Sequence, residues 1–138
     1  MNPRRTSGTR NVDAGEVKVR IADAKKGLEV AELYIEETDP ASWKASGSNA
    51  VTAGIAAADA ICGHVLGYTS SGQNHLEAIA VLNEATSSAK KPATNLRRLL
   101  DQKTDYQYGT SVMKQDSARK LVDSARELVA YAEQVLRS

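Results

Sequence analysis

Histidines are the side chains most able to exchange protons near neutral pH, and this chain has two, His64 and His75. His75 follows Asn74 at the start of an amphipathic segment, which places it in the first turn of a predicted helix. There it is either a general base or an exposed side chain with local hydrogen bonds. His64 lies near the end of the preceding predicted helix, where a cation interacts favourably with the helix dipole. That position explains His64 without a role in a site.

A single carboxylate, Asp59, interrupts the apolar stretch IAAADAIC. Burying an unpaired carboxylate is costly, so we expect Asp59 either to lie at the edge of its helix or to have a partner. Helical spacing puts Thr52, Asp59 and Gly63 on roughly one face. This face is therefore either the place of a structural hydrogen bond or a polar notch in the bundle or at a subunit contact.

A third polar group lies in the stretch LRRLLDQKTDYQYG. Its candidate ligand-binding residues are Arg97, Arg98, Asp105 and Tyr106. Arg97 and Asp101 are four residues apart and can pair on the surface of a helix. The tyrosines at 106 and 108 can stack on nucleic-acid bases beside Arg98. The other interpretation is that Tyr106 packs between helices and Tyr108 is exposed. With Asp59, His64 and His75, these residues complete the candidate site.

The composition excludes several classes of protein. A net charge of +1 over 138 residues is unlike a strongly basic nucleic-acid binder. One cysteine, Cys62, excludes an intramolecular disulfide framework and a zinc site with several thiolates, and two histidines do not argue for a metal. Neither a run of about twenty apolar residues nor a secretory signal is visible. We therefore expect a cytoplasmic domain with no cofactor, no metal and no membrane contact.

The first twelve residues differ from the rest of the chain. They carry Arg4, Arg5 and Arg10, no acidic residue and no apolar period. This pattern predicts a flexible basic tail over residues 1–12, followed by one domain over residues 13–138. The tail is interpreted either as a solvated terminus or as an arm that contacts phosphates.

Helical periodicity is the strongest pattern in the chain. The first predicted helix begins after Asp13, which forms a capping box with Glu16, and ends at the stretch TDP. Apolar residues repeat along it at spacings of four and three: Val17, Ile21, Ala24, Leu28, Ala31 and Ile35. This stripe predicts that one face of the helix is buried.

Four more helices are predicted. The second runs from about Ala41 to Leu66, the third follows Asn74 as its N-cap, and the last runs from about Gln115 to Leu136. A short fourth helix has Pro92 in its first turn and ends at KTDYQYGTSVMKQD. The residues expected to be buried on the second to fourth helices are Val51, Ile55, Ala58, Cys62, Val65, Leu76, Ile79, Ala80, Leu82, Leu96, Leu99 and Leu100. On the last helix they are Ala118, Leu121, Ala125, Leu128, Ala132 and Val135.

No segment has the pattern of a strand, because the β-branched residues recur at helical spacing. The fold class is therefore all-α: an antiparallel up-and-down bundle of four long helices plus one short helix. Glycines at 47, 54 and 63 each cost the second helix about 1 kcal/mol of propensity relative to alanine. Close packing of a neighbouring helix against these small residues can offset that cost.

The chain resembles the HEPN (higher eukaryotes and prokaryotes nucleotide-binding) superfamily. Three stretches carry the resemblance: SNAVTAGIAAADAICGHVLG, NHLEAIAVL, and the closing segment from LRRLLDQKTDYQYG to the last helix. Together they cover about Val12 to Leu136. The resemblance implies an antiparallel helical bundle, commonly a homodimer. Many HEPN proteins are ribonucleases of toxin–antitoxin, abortive-infection and other defence systems.

Those ribonucleases use an arginine followed four to six residues later by a histidine. His75 matches the histidine, but positions 68–71 hold no arginine. The corresponding positions before His64 hold none either: they are Ala57, Ala58, Asp59 and Ile61. Without the guanidinium, no evident group stabilises charge on a phosphate in the transition state. The resemblance therefore implies a member that lacks the catalytic motif.

Three hypotheses about function follow. The first is a non-catalytic HEPN-like domain that binds a nucleotide, a nucleic acid or a protein partner, in a defence, toxin–antitoxin or mobile-element system. The second is a metal-independent endoribonuclease in which His75 is the acid–base residue and Arg97 or Arg98 is the cation. The third is a structural dimerisation module, with the small-residue face from Ala50 to Ala60 as the contact.

Overall fold

A computed structural model describes residues 8–72, 74–87, 89–108 and 112–138, with the side chains of 103–108 left out of the description. The described chain is mostly α-helical, as predicted. Its elements in order are β1 (Thr9–Asn11), α1 (Ala14–Ile35), α2 (Pro40–Leu66), β2 (Tyr68–Ser70), α3 (His75–Ala85), α4 (Lys90–Tyr108) and α5 (Gln115–Arg137).

Side chains at the helix starts explain where the first helices begin. The predicted capping box of α1 is confirmed: Asp13 Oδ1 accepts from the Glu16 N–H at 2.8 Å, and Glu16 Oε1 accepts from the Asp13 N–H at 3.2 Å. Asp39 caps α2 in the same way by accepting from the Ser42 N–H at 3.0 Å. Pro40 is the first residue of α2, a position where its missing N–H costs nothing.

The central element is α2, which packs against the other four helices and against β2. Its glycines sit where neighbours approach closely. A Cβ on Gly54 would overlap the Leu99 side chain, and one on Gly63 would lie 2.6 Å from Val12 Cγ1. By composition and length α2 is also apolar enough to cross a membrane, but 67% of its most apolar window is buried inside the fold. The small residues therefore allow close packing around a core helix.

The stripes of α1 and α5 face this core. On α1, Val17, Ala24, Ala31 and Ile35 are buried, and Ile21 and Leu28 are partly buried. The buried residues of α5 are Ala118, Leu121, Val122, Ser124, Ala125, Leu128, Val129 and Ala132. Arg126 links the two helices by donating from Nε and Nη2 to Glu32 Oε2 at 3.0 and 2.9 Å.

The prediction that the chain has no strand is wrong. Thr9–Asn11 and Tyr68–Ser70 form a two-stranded antiparallel sheet in which Arg10 pairs with Thr69. Both strands have three residues, too short for an alternating pattern to be recognised. Residues 8–12, which we assigned to the basic tail, are therefore part of the fold, while residues 1–7 with Arg4 and Arg5 lie outside the described residues.

Predictions for the middle of the chain need three corrections. The short helix is α3, with 11 residues, whereas α4 has 19 and continues through the first part of the predicted interruption. Leu76 and Ala80 are exposed rather than buried, because α3 covers the core mainly through Ile79, Val81 and Leu82. Val65 is also exposed, one residue before the end of α2.

Candidate functional site

Asp59 is the centre of a polar cluster at the end of the bundle where the two strands lie. It is 9% exposed. Arg20 on α1 donates to Asp59 Oδ2 from Nε at 3.1 Å and from Nη2 at 2.9 Å. The Thr69 hydroxyl on β2 donates to Asp59 Oδ1 at 2.8 Å. The carboxylate therefore has a charged partner and a neutral one, which together offset its desolvation.

A second arginine, Arg10 on β1, approaches the same carboxylate less closely. Its Nη2 lies 3.8 Å from Asp59 Oδ2, and its Nη1 lies 3.6 Å from Glu16 Oε2. Within the described residues its guanidinium makes these two ion pairs and no hydrogen bond. Because Arg20 already satisfies Asp59, the N–H groups of Arg10 are available to another acceptor.

Beside this cluster lies a cavity of about 120 Å³, which we call the Asp59 pocket. Its apolar walls are Ile55, Ala58, Cys62, Ala78, Leu96 and Leu100. Polar groups from β1, α2, β2 and the start of α3 also line it: Arg10, Asp59, Ser70, Ser71, Asn74 and His75. The pocket thus combines an apolar interior with convergent polar groups, an arrangement typical of small-molecule sites.

The side-chain oxygen of Ser71 makes no hydrogen bond to the described part of the fold. Its Oγ is buried, and no hydrogen-bond partner for it exists among the described residues. Its backbone is well anchored, since the Ser71 N–H donates to the Gly8 carbonyl at 2.7 Å. Buried hydroxyls in folded proteins nearly always have a partner. Because Ser71 lines the Asp59 pocket, a molecule bound there is a candidate partner for this hydroxyl.

His75 lies in the first turn of α3, as predicted, with its side chain exposed at the same pocket. The predicted cap is confirmed: Asn74 Oδ1 accepts from the Leu76 N–H at 2.8 Å and from the Glu77 N–H at 3.3 Å. Within the described residues no side chain hydrogen-bonds to the imidazole. No group orients the ring as a second member of a catalytic pair would.

The thiol of Cys62 also lines the pocket, and its chemistry is set by burial. Burial, followed by the negative charge of Asp59, raises the pKa of Cys62 to about 12. The thiol therefore stays protonated at neutral pH and is a poor nucleophile. This agrees with the prediction of a small buried side chain.

The remaining candidate residues lie elsewhere. His64 is exposed beside Lys18 and Leu136, in a separate depression. Arg97 and Arg98 are exposed on α4, and neither lines the Asp59 pocket. The side chains of Asp105 and Tyr106 lie outside the described residues. Among the candidates whose side chains are described, the structure brings only Asp59 and His75 together, and the arginine that accompanies them is Arg10 rather than Arg97 or Arg98.

The small-residue face of α2 is not free to contact a second subunit. Nearly every residue of this face is buried within the chain: Ala50, Ala53, Gly54, Ala56, Ala57, Ala58 and Ala60. The dimer contact expected there is wrong, because α1, α4 and α5 already occupy the close-packing surface. The homodimer itself stays a prediction and needs a different surface.

The sequence analysis did not predict several residues of the site. Arg20, Thr69 and Ser71 are not among the candidate residues of the sequence analysis. Arg20 precedes a stripe residue by one position, so its side chain can reach the rim of the buried face. No local pattern distinguishes Ser71 from Ser70. Only the folded structure shows that the Ser70 Oγ accepts from the Gly72 N–H at 3.1 Å, whereas the Ser71 Oγ has no partner among the described residues.

No protein-family model matches the chain, and no curated protein matches it either.

Proposed function

We propose that this chain is a non-catalytic, HEPN-like helical domain, with its long helices in an antiparallel up-and-down order, that binds a small molecule of the nucleotide class in the Asp59 pocket. One observation carries the proposal: Ser71, whose buried Oγ has no hydrogen-bond partner among the described residues, lines a cavity with apolar walls. A fold gains nothing from a buried hydroxyl without a partner, whereas a ligand with an acceptor or donor at that point satisfies it.

The volume of the cavity is suited to a ligand with one aromatic ring. A cavity of roughly 150 Å³ accommodates a benzene molecule, and drug-sized sites are several times larger. The Asp59 pocket, at about 120 Å³, suits a single heteroaromatic ring with the rest of the ligand at the mouth. Ile55 and Leu96 provide apolar surface for the faces of such a ring.

The polar lining supports a ligand with hydrogen-bond acceptors. Arg10 offers guanidinium N–H groups, and Asn74 keeps its amide N–H groups because only its Oδ1 is used in the cap. Ser71 can donate or accept. A nucleobase carries ring nitrogens and carbonyl oxygens at its edge, which match this set of donors.

The same geometry favours binding over catalysis. Asp59 is bound to Arg20 and Thr69, so it is not a free base. Cys62 is protonated, and the His75 imidazole has no orienting partner among the described residues. Catalysis requires a nucleophile or base in mutual contact with a group that positions it.

An NMR titration tests the proposal. The ¹⁵N-labelled chain is titrated with adenosine and uridine monophosphates, and the expected shifts are at the amides of Ser71, His75 and Ala78. Ala78→Phe fills the pocket and should abolish them. Ala80→Phe is the matched control, since Ala80 is exposed on the same helix and does not line the pocket. Thermal melting checks that both variants fold. Shifts that survive Ala78→Phe, or their absence in the unmodified chain, would contradict the proposal.

A second candidate is supported by one observation. Arg10 and His75 line the same pocket, so a cation and a possible acid–base residue share one site. This is the residue combination that an endoribonuclease needs, with Arg10 in place of the Arg97 or Arg98 that we expected. The two ion pairs of Arg10 with Glu16 and Asp59 weigh against it, because they reduce the charge available to a phosphate.

A further inference from the structure

We propose that the Asp59 pocket recognises the ring of its ligand and not the phosphate, so that it takes uncharged nucleosides in preference to nucleoside triphosphates. This inference rests on the proposed function and specifies its ligand. Three observations support it. Carboxylates lie beside the arginines near the pocket, Asn74 occupies two N–H groups at the start of α3, and the unpaired polar group beside the cavity is an uncharged hydroxyl.

The positive charges at the pocket are already matched. Arg10 lies between Glu16 and Asp59, and Arg20 lies between Asp59 and Asp23 at 2.9 and 3.1 Å. Two guanidinium groups therefore face three carboxylates. A polyphosphate needs an excess of positive charge to replace its water and counterions. Among the described residues, Arg10 and Arg20 offer no such excess, because Glu16, Asp59 and Asp23 lie beside them.

The start of α3 is also a poor phosphate site. A helix N-terminus binds phosphate through its free N–H groups and its dipole. Here Asn74 Oδ1 accepts from the N–H groups of Leu76 and Glu77, so two of these donors are occupied. The Glu77 side chain lies against Gly8 in the same region, since a Cβ on Gly8 would come within 2.8 Å of Glu77 Cγ. Its carboxylate adds a further negative charge near the helix start.

The unpaired polar atom beside the cavity is neutral. The Ser71 hydroxyl can pair with a ring nitrogen or a carbonyl oxygen, and it has no charge to match a phosphate. On this inference the ring enters the cavity, and any phosphate stays outside it near Arg10 and its partner Glu16. Each added phosphate charge then weakens binding rather than strengthening it.

Calorimetric titration of the full chain with adenosine, AMP and ATP, and with the uridine series, tests this inference. We expect nucleoside and monophosphate to bind with Kd values within about threefold of each other, and the triphosphate to bind at least tenfold more weakly. Added salt should narrow the difference, because it screens the repulsion.

A charge variant identifies the cause. Glu16→Gln removes the carboxylate that pairs with Arg10 but keeps the capping box, because glutamine also fits the N3 position. It should strengthen ATP binding by about fivefold and leave adenosine binding unchanged. Glu29→Gln is the matched control, since Glu29 carries the same charge on the same helix but pairs with Lys26 away from the pocket. It should change neither Kd.

The outcomes separate the inference from the proposed function. ATP binding tenfold tighter than adenosine, at a site that Ala78→Phe blocks, would overturn the inference while the proposed function stands. An ATP Kd that Glu16→Gln does not change would also overturn the inference, since the Glu16 carboxylate would then not be what weakens ATP binding. If neither nucleosides nor nucleotides bind, the proposed function fails and the inference fails with it.

Discussion

Arg20 on α1 holds Asp59 on α2 through two hydrogen bonds to the same carboxylate oxygen, at 3.1 and 2.9 Å. This pair joins the two helices beside the Asp59 pocket, and the Arg10 guanidinium makes no hydrogen bond among the described residues. Arg20 therefore satisfies the buried carboxylate, and the N–H groups of the Arg10 guanidinium are available to a ligand. The division between the two arginines is the feature of the site that can be tested most directly.

Removal of Arg20 should destabilise the fold. In Arg20→Ala, Asp59 stays buried with only Thr69 and the more distant Arg10, and we expect a loss of about 1–3 kcal/mol in the free energy of unfolding. Chemical denaturation measures this loss. Asp23→Ala removes the exposed partner of Arg20 and should cost less than about 1 kcal/mol. Equal losses in the two variants would show that the Asp59 contact contributes no more than a surface pair.

Truncation of a core leucine tests the packing of α5 against α2. Leu128 is fully buried, and Leu128→Ala should cost about 2–5 kcal/mol because a cavity remains. Leu33→Ala is the control, since Leu33 is exposed on α1, and it should change stability by about 0.5 kcal/mol or less. Urea unfolding of both variants compares them. A loss well below 1 kcal/mol for Leu128→Ala would mean that this stripe does not face the core.

A methyl group at Gly63 should separate β1 from the bundle. Its Cβ would lie 2.6 Å from Val12 and 2.9 Å from Val17, two branched side chains that are buried. We expect Gly63→Ala to cost about 1–3 kcal/mol despite the better helix propensity of alanine. Gly15→Ala, at an exposed position on α1, should be neutral or stabilising by up to about 1 kcal/mol. Hydrogen exchange should show faster exchange in β1 only for Gly63→Ala.

The Cys62 thiol predicts a change of stability with pH. Its pKa rises from 9.0 to about 12 in the folded state, so above pH 9 the unfolded chain loses this proton first. Stability should therefore fall as the pH rises through this window, by up to about 1.4 kcal/mol per pH unit from this group. The slope should be smaller in Cys62→Ala, which lacks the thiol. Identical slopes for the two proteins between pH 9 and 12 would contradict a buried, protonated thiol.

Ribonuclease assays separate the two candidate functions. On the non-catalytic proposal, cleavage of single-stranded RNA stays at background in the unmodified chain, in His75→Ala and in Arg10→Ala. A general acid–base histidine contributes about 10²–10⁴-fold in rate, so its removal from a true nuclease is obvious. Robust cleavage that disappears in His75→Ala and in Arg10→Ala, but persists in Arg97→Ala, would establish the endoribonuclease and defeat the binding proposal.

Local patterns in the sequence determined the helices and their starts. The caps at Asp13 and Asn74 and the stripes of α1 and α5 were predicted because each depends on residues within one or two turns of the same helix. The same holds for the close packing at Gly54 and Gly63, since only small residues allow it. Such features are encoded by short-range spacing and stay recognisable without knowledge of the fold.

The Asp59 pocket was decided by the tertiary structure. Arg10, Asp59 and Ser71 come from three elements that are far apart in the chain, and they meet because β1 pairs with β2 in one antiparallel register. Three-residue strands carry too few side chains for a sequence pattern to specify that register. It is set by burial of Val12 against Gly63 and by the hydrogen bonds from Val12 N–H to Gly67 and from Ser71 N–H to Gly8. These contacts join residues that are far apart in the chain, which is why the sequence predicted helices but not the site between them.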